Sequence, residues 1–355
     1  MRRGGRRYRT GEEYPSPVER KEEPPTNVLR RPGKEHCPGG TDADEGPDLR
    51  LPSRLFATDR YPSNRLNVYS SLELLLVVRD VLRGTPEWDR LMGSCFGTLY
   101  QLPVRRCSYA SVMIHAMLAR QLVTKKRYEV WPVFGGNPWR FSLVEFGGVT
   151  GLPCGEFEAG YAPDIQPAYK EADYAFWDKL FEGKRDITIP EVVKMLKEDL
   201  TLTRSRKFKL CLLLIVDGVL IASTQPAKPT VKYVKLLANV NQFLAFPWGR
   251  ESYFWTVKTM LPAKKVIGLC DDPEGEFCVK LRQKTKQMVG FPLALQLLAY
   301  EAIPQLLARL GGTDELKILS CERIPKHAGV NLVDVLEAEH HPEVTLFFCD
   351  AVFCF

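Results

Sequence analysis

Apolar positions first take on a helical rhythm after residue 70, where Leu72, Leu75, Leu76, Val78 and Leu82 recur at three- and four-residue intervals ahead of Gly84. That spacing turns one face of a helix toward a core, and Gly84 supplies its stop. The run SYASVMIHAMLARQLV predicts a second helix with Ser108 as N-cap, followed by a basic turn and an extended piece around 128–133. In NPWRFSLVEFGGVTGLPCG, Trp139 and Phe141 end an extended piece and Ser142 opens a short helix. Ser142 and Glu145 have capping-box spacing, in which hydroxyl and carboxylate satisfy otherwise orphaned N–H groups. Gly151 fits the left-handed stop and Pro153 bars continuation, so the helix is buried through Leu143, Phe146 and Val149.

Farther along, the pattern predicts helices at 173–181 and 190–199, a strongly buried element over 207–223, and one amphipathic helix over 231–246. That helix ends at a tight corner made by Pro247, Trp248 and Gly249, and a helix over 250–260 follows, closed by Pro262. The polar stretch 262–290 contains DDPEG, a turn signal, and reads as a mobile excursion. A hydrophobic helix kinked at Pro304 and stopped at Gly311 and Gly312 comes next. Over 316–355, KILSCERI and VTLFFCDAVFCF read as short extended pieces around a helix near 332–339, and the aromatic end suggests truncation.

The elements add up to a mainly α fold with a few short β-strands (α+β), a compact helical domain over 65–315. Ahead of it, residues 1–62 are rich in Arg, Glu and Pro. They hold too few apolar side chains to offset backbone ordering of about 1–2 kcal/mol per residue, which predicts a disordered tail. Residues 316–355 form a poorly defined C-terminal segment.

Composition narrows the classes. With 45% hydrophobic and 26% charged residues over 355 positions, the chain is globular in type, and its net charge of +6 is a mild basic excess. Ten cysteines are scattered, several inside apolar runs, without zinc-knuckle pairs, so reduced thiols and a nuclear or cytoplasmic location are expected. The longest apolar stretch, 210–223, is interrupted by Asp217 and Gly218 and falls short of the roughly 20 residues a bilayer span needs, so no membrane partner is expected.

Candidate chemistry is sparse. GGNPWR and GGVTG lack the lysine and glycine spacing of phosphate-binding loops. Glu145, Asp217 and Glu251 are carboxylates in apolar surroundings, but each has a structural reading: Glu145 as a cap, Glu251 paired within its own corner, Asp217 at a helix end. None of the five histidines has a catalytic setting. Catalytic, cofactor-binding and metal-binding residues are therefore not assigned, and no small-molecule substrate is evident. Cations interleave with aromatics at Lys125, Lys126, Arg127, Tyr128, Trp131, Trp139 and Arg140, as in single-strand binders, and Arg204, Arg206 and Lys207 form a second basic cluster. The alternative is that both tryptophans are core and the cations solvated.

PWRFSLVEFGGVTGLPCGEF resembles the signature of a plant domain of unknown function. The likeness returns at LLLIVDGVLIAS, FLAFPWGRESYFWTVKTM and GFPLALQLLAYEAIPQLL, and covers roughly 85–310. Trp139, Phe141, Ser142, Glu145, Gly151, Pro247, Trp248 and Gly249 are then structural motif residues. The resemblance implies association with Mutator-like transposable elements and, in many relatives, a C-terminal domain similar to SUMO-specific proteases. Blocks resembling that protease's histidine, aspartate, glutamine and cysteine are not found. Two expectations follow: a non-enzymatic module that binds protein or nucleic acid in the nucleus, or a substrate-positioning region of a SUMO-protease-like cysteine peptidase whose catalytic domain is missing.

Overall fold

The computed structural model describes residues 51–57, 60–165, 168–326 and 329–341. The first 50 residues of the tail expected over 1–62 and the terminal VTLFFCDAVFCF lie outside the described residues. The fold is mainly helical with a few short strands, as the periodicity predicts. Strand β1 (Arg65–Val68) precedes α1 (Glu73–Leu82), and α2 (Pro86–Met92) is capped by Thr85, whose side chain accepts the Trp88 N–H. Helix α3 (Ser111–Ala119) is buried almost throughout. Its expected cap fails: Ser108 is buried and its Oγ has no partner among the described residues, while Gln296, far off in sequence, accepts the Ala110 N–H at 2.7 Å and donates to the carbonyls of Arg106 and Ser108. A remote amide that satisfies three groups outcompetes a local hydroxyl.

Next comes a hairpin of β2 (Val133–Phe134) and β3 (Asn137–Pro138), turned by Gly135 and Gly136, both at positive φ as a two-residue type I′ turn requires. Backbone bonds between Val130 and Phe141 extend it to the start of α4 (Leu143–Thr150). The capping box forms there: Glu145 Oε2 accepts the Ser142 N–H at 2.8 Å and Ser142 Oγ the Val144 N–H at 3.2 Å. Gly151 closes α4 at φ +67°.

Helices α5 (Ala175–Phe181) and α6 (Ile189–Glu198) match the pattern. Helix α7 (Arg204–Leu213) runs into a π-helical turn, Leu214–Leu220, whose every residue is buried. Its loosened carbonyls are taken up from outside: Ser71 N–H donates to Gly218 at 3.0 Å, Ser70 Oγ to Val219 at 2.6 Å and Ser252 Oγ to Leu220 at 2.7 Å. The core gathers around this segment.

The single helix expected over 231–246 is two, α8 (Val231–Leu236) and α9 (Val240–Ala245), because Asn239 Oδ1 accepts the N–H groups of Asn241 and Gln242 and starts a new helix. Helix α10 (Trp248–Lys258) begins at Trp248, so Trp248 and Gly249 are its first turn rather than a corner before it. The stretch expected to be a mobile excursion holds α11 (Pro273–Arg282) and β4 (Thr285–Met288). DDPEG is a helix start: Asp272 Oδ1 accepts the Gly275 N–H at 2.9 Å and proline fills the first turn. Strand β4 pairs in parallel with β1, Arg65 opposite Thr285 and Val68 opposite Met288.

Helices α12 (Leu293–Ala302) and α13 (Pro304–Ala308) divide at Pro304. KILSCERI is a turn bridged through Lys317 to Pro103 rather than a strand, and α14 (Leu332–Glu339) packs on the core, with Arg120 Nε donating to Glu339 Oε1 at 2.8 Å. At the other end Leu55 and Phe56, within the tail read from sequence, join the core: Leu55 N–H bonds to Gln121 O at 2.8 Å and Phe56 is buried. No helix among the described residues is long and apolar enough to cross a membrane.

Candidate nucleic-acid interface

The ribbon carrying Trp131 and Trp139 fixes what protrudes beside it. Leu122 N–H donates to Trp131 O and Val133 N–H to Arg120 O, both at 2.9 Å, so the chain must reverse between residues 122 and 130. That reversal is a ridge holding Lys125, Lys126, Arg127 and Tyr128, all exposed. Its foot is pinned from α10, where the Tyr253 hydroxyl donates to the carbonyls of Tyr128 and Phe141.

Two clefts share this ridge as a wall. One, of about 350 Å³, is lined across from Lys126 and Arg127 by residues 261–266, including Lys264 and Lys265, with Glu274 as an acidic member. The other, of about 470 Å³, adds Arg140, Arg250, Leu143, Val144, Phe157 and Phe254. The rings of Tyr128 and Phe254 lie 6.3 Å apart between centroids.

Charges around the clefts differ in how far they are already engaged. Among the described residues Lys125, Lys126, Arg127, Lys264 and Lys265 make no ion pair. Arg140 is held by Glu145, with Nε at 3.0 Å and Nη2 at 2.6 Å from Oε1. Burial pushes the Glu145 carboxyl up, but the hydrogen bonds from Arg140 and Ser142 outweigh it and hold the group below its ordinary value. Arg250 Nε donates to the carbonyls of Cys154 and Gly155 at 3.2 and 2.5 Å, and its guanidinium lies 5.9 Å from the Phe157 ring centroid.

Of the residues singled out in sequence, Lys126, Arg127 and Arg140 are brought together, with Lys125 beside them. Arg204, Arg206 and Lys207 open α7 and line neither cleft. Arg206 is tied down, its Nε to Leu180 O at 3.0 Å and its Nη1 to Glu182 Oε1 at 2.6 Å. Trp131 and Trp139 are 5% and 2% exposed, so neither ring is open to a base; Tyr128, at 50%, is. Phe157, Phe254, Arg250, Lys264 and Lys265 were missed. The Lys264–Lys265 pair was visible as a charge doublet but lies more than 130 positions from the ridge it faces, and Phe254 and Arg250 sat inside a segment whose aromatic density read as core.

The motif residues serve the fold. Phe141, Phe146 and Tyr253 pack as a ring cluster at centroid distances of 5.5–6.3 Å. Trp248 is fully buried, its Nε1 donating to Phe243 O at 2.7 Å. Pro247 stands at the N-cap of α10, and Gly249 N–H donates to Pro153 O at 2.9 Å.

The carboxylates find partners beyond those expected. Glu251, fully buried, accepts at Oε1 from Lys232 Nζ at 2.7 Å and Tyr233 OH at 2.6 Å, both outside its own corner. Asp217 sits in the π-helical turn rather than at a helix end. It accepts the Thr230 hydroxyl at 2.6 Å and N–H at 3.1 Å, and burial pushes its carboxyl up to about 7 against those bonds. His115 is buried with Nε2 2.9 Å from Leu281 O, while His36 and His327 lie outside the described residues. Burial pushes the thiols of Cys95 and Cys107 up to about 12 and that of Cys154 up to about 11. Among the described residues no group of three His, Cys, Asp or Glu side chains is arranged to hold a metal ion.

Fold and site together define an α-rich domain with a cationic, ring-bearing pair of clefts at its surface. Residues 118–259 match the model of the family described as Domain of unknown function (DUF1985). The match runs from the end of α3 to the end of α10 and takes in the hairpin, the ridge and the α4 and α10 motifs; Lys264 and Lys265 fall beyond it. No curated protein and no solved structure matches the chain.

Proposed function

We propose that this chain is a non-enzymatic interaction module whose ridge and paired clefts bind nucleic acid. One observation carries the reading: among the described residues the cations at Lys125, Lys126, Arg127, Lys264 and Lys265 stand without ion pairs beside the exposed ring of Tyr128. A polyanion laid along such a rim releases its counterions, and a ring on the path of the strand adds base stacking of about 1–3 kcal/mol per base. The non-enzymatic part is supported by the thiols of Cys95, Cys107 and Cys154, which burial keeps protonated and weakly nucleophilic. The resemblance to Mutator-associated plant proteins supports a transposon-derived origin and work in the nucleus.

The test is fluorescence anisotropy of a labelled single-stranded oligonucleotide with the full chain across a salt series. The affinity falls linearly on a log–log plot, and K126E/R127E lowers both the affinity and the slope, the latter by roughly 1–2. R204E/K207E, in the cluster away from the clefts, leaves both nearly unchanged. Absent or salt-indifferent binding, or equal loss in the two variants, overturns the proposal.

A further inference from the structure

Directly after Lys264 and Lys265 the chain makes a small closed turn. Val266 N–H donates to Cys270 O at 2.9 Å and Cys270 N–H returns to Val266 O at 2.7 Å. Gly268, at φ +75°, takes the turn, and its N–H is held by Asp271 Oδ1 at 3.1 Å. A turn bonded in this way keeps its shape before any partner arrives. Yet it carries Ile267 at 91% and Leu269 at 81% exposure, two large aliphatic side chains out in water at one tip. Val266, at the turn's base, lines the same cleft as Lys126, Arg127, Lys264 and Lys265. A rigid aliphatic tip beside a cationic channel is the combination by which proteins neutralise phosphates and push a side chain between neighbouring bases.

We propose that Ile267 and Leu269 form a wedge that enters the base stack of a nucleic-acid strand lying in the cleft between Lys126 and Lys264. The inference rests on the nucleic-acid reading above and adds the kind of strand: one whose bases are unpaired or easily unstacked. The neighbouring acids favour a strand over an anionic lipid surface. Asp271 and Asp272 are bonded to the N–H groups of Gly268 and Gly275, and Glu274 lines the cleft. A flat anionic sheet across the tip meets Asp271 and Asp272 together with the lysines, whereas a strand in the cleft meets Lys126, Arg127, Lys264 and Lys265, with Glu274 as the acid among the lining residues.

The experiment uses the full chain and an oligonucleotide with 2-aminopurine, whose emission rises when it is unstacked. Wild type raises the emission on binding. I267S/L269S, which changes only solvent-exposed side chains, keeps the salt slope, loses the rise in emission, and binds roughly tenfold more weakly, as for one lost stacked base. An unchanged rise in I267S/L269S overturns the wedge while leaving the nucleic-acid reading intact. No binding by wild type overturns both. Flotation of wild type, but not of I267S/L269S, with phosphatidylserine vesicles, together with silent 2-aminopurine, overturns the wedge in favour of lipid contact.

Discussion

The corner where α4 meets α10 and the ridge over residues 123–129 draw on the same kinds of side chain, arginine with aromatic rings, and leave them in opposite states. In the corner Arg140, Glu145 and Ser142 bond to one another, and Phe141, Phe146 and Tyr253 are buried against each other. On the ridge Lys126 and Arg127 have no ion pair among the described residues, and Tyr128 is half exposed. A polar group bonded inside the fold stabilises backbone geometry and has little left for a ligand. An unpaired cation beside an exposed ring adds little to stability and is available for one. The corner is thus spent on the fold, and the ridge is left open at the surface.

The largest expected effect breaks the corner at Gly249. A Cβ there would stand 2.7 Å from Cys154 Sγ and Pro153 O and 2.9 Å from Leu152 O, two of them backbone atoms. Helix propensity alone makes Gly249→Ala stabilising by up to about 1 kcal/mol, but overpacking against backbone costs about 1–3 kcal/mol. A lower urea midpoint is expected, and a raised one would mean that the first turn of α10 is not closed onto the α4 exit.

A smaller effect sharpens the comparison through Glu145. Glu145→Ala removes the capping carboxylate and the partner of Arg140, for a loss of about 1 kcal/mol at neutral pH. The carboxyl's folded pKa is below its unfolded one, so its contribution is complete above the ordinary value near 4.5 and fades as pH falls through the lower folded value. Urea midpoints at neutral and strongly acid pH should therefore separate wild type from Glu145→Ala at the first and bring them together at the second. A gap that persists in acid assigns Glu145 a packing role instead.

Much of the fold was legible because its signals are local. Ser142 with Glu145, and Gly151, are a start and a stop on either side of eight helical residues, and Leu75, Val78 and Leu82 mark one helix face. What escaped was decided at long range or by residues with two local uses. Gln296 capping α3 leaves no mark near Ser108, and strand β1 is set by pairing with β4 more than 200 positions away. Asp272 with Pro273 suits a turn as well as a helix start. Asn239 splits a run whose periodicity is continuous. Of the candidate site, Lys126, Arg127 and Tyr128 could be read as a charge run with a ring, and burial of Trp131 and Trp139 shows which half of that pattern is core. Their joining to Lys264, Lys265 and Phe254 depends on how α10 returns beneath the hairpin, which composition does not encode.

The central claim, that the ridge rather than the motif corner or the α7 cluster meets the ligand, is tested most directly by photo-crosslinking the full chain to a 4-thiouridine strand and locating the adducts by mass spectrometry. Adducts are expected at Tyr128, Phe254 and the peptide carrying residues 264–270. Adducts confined to the peptide holding Arg204 and Lys207, with none along the two clefts, would place the contact at the start of α7 instead of the ridge.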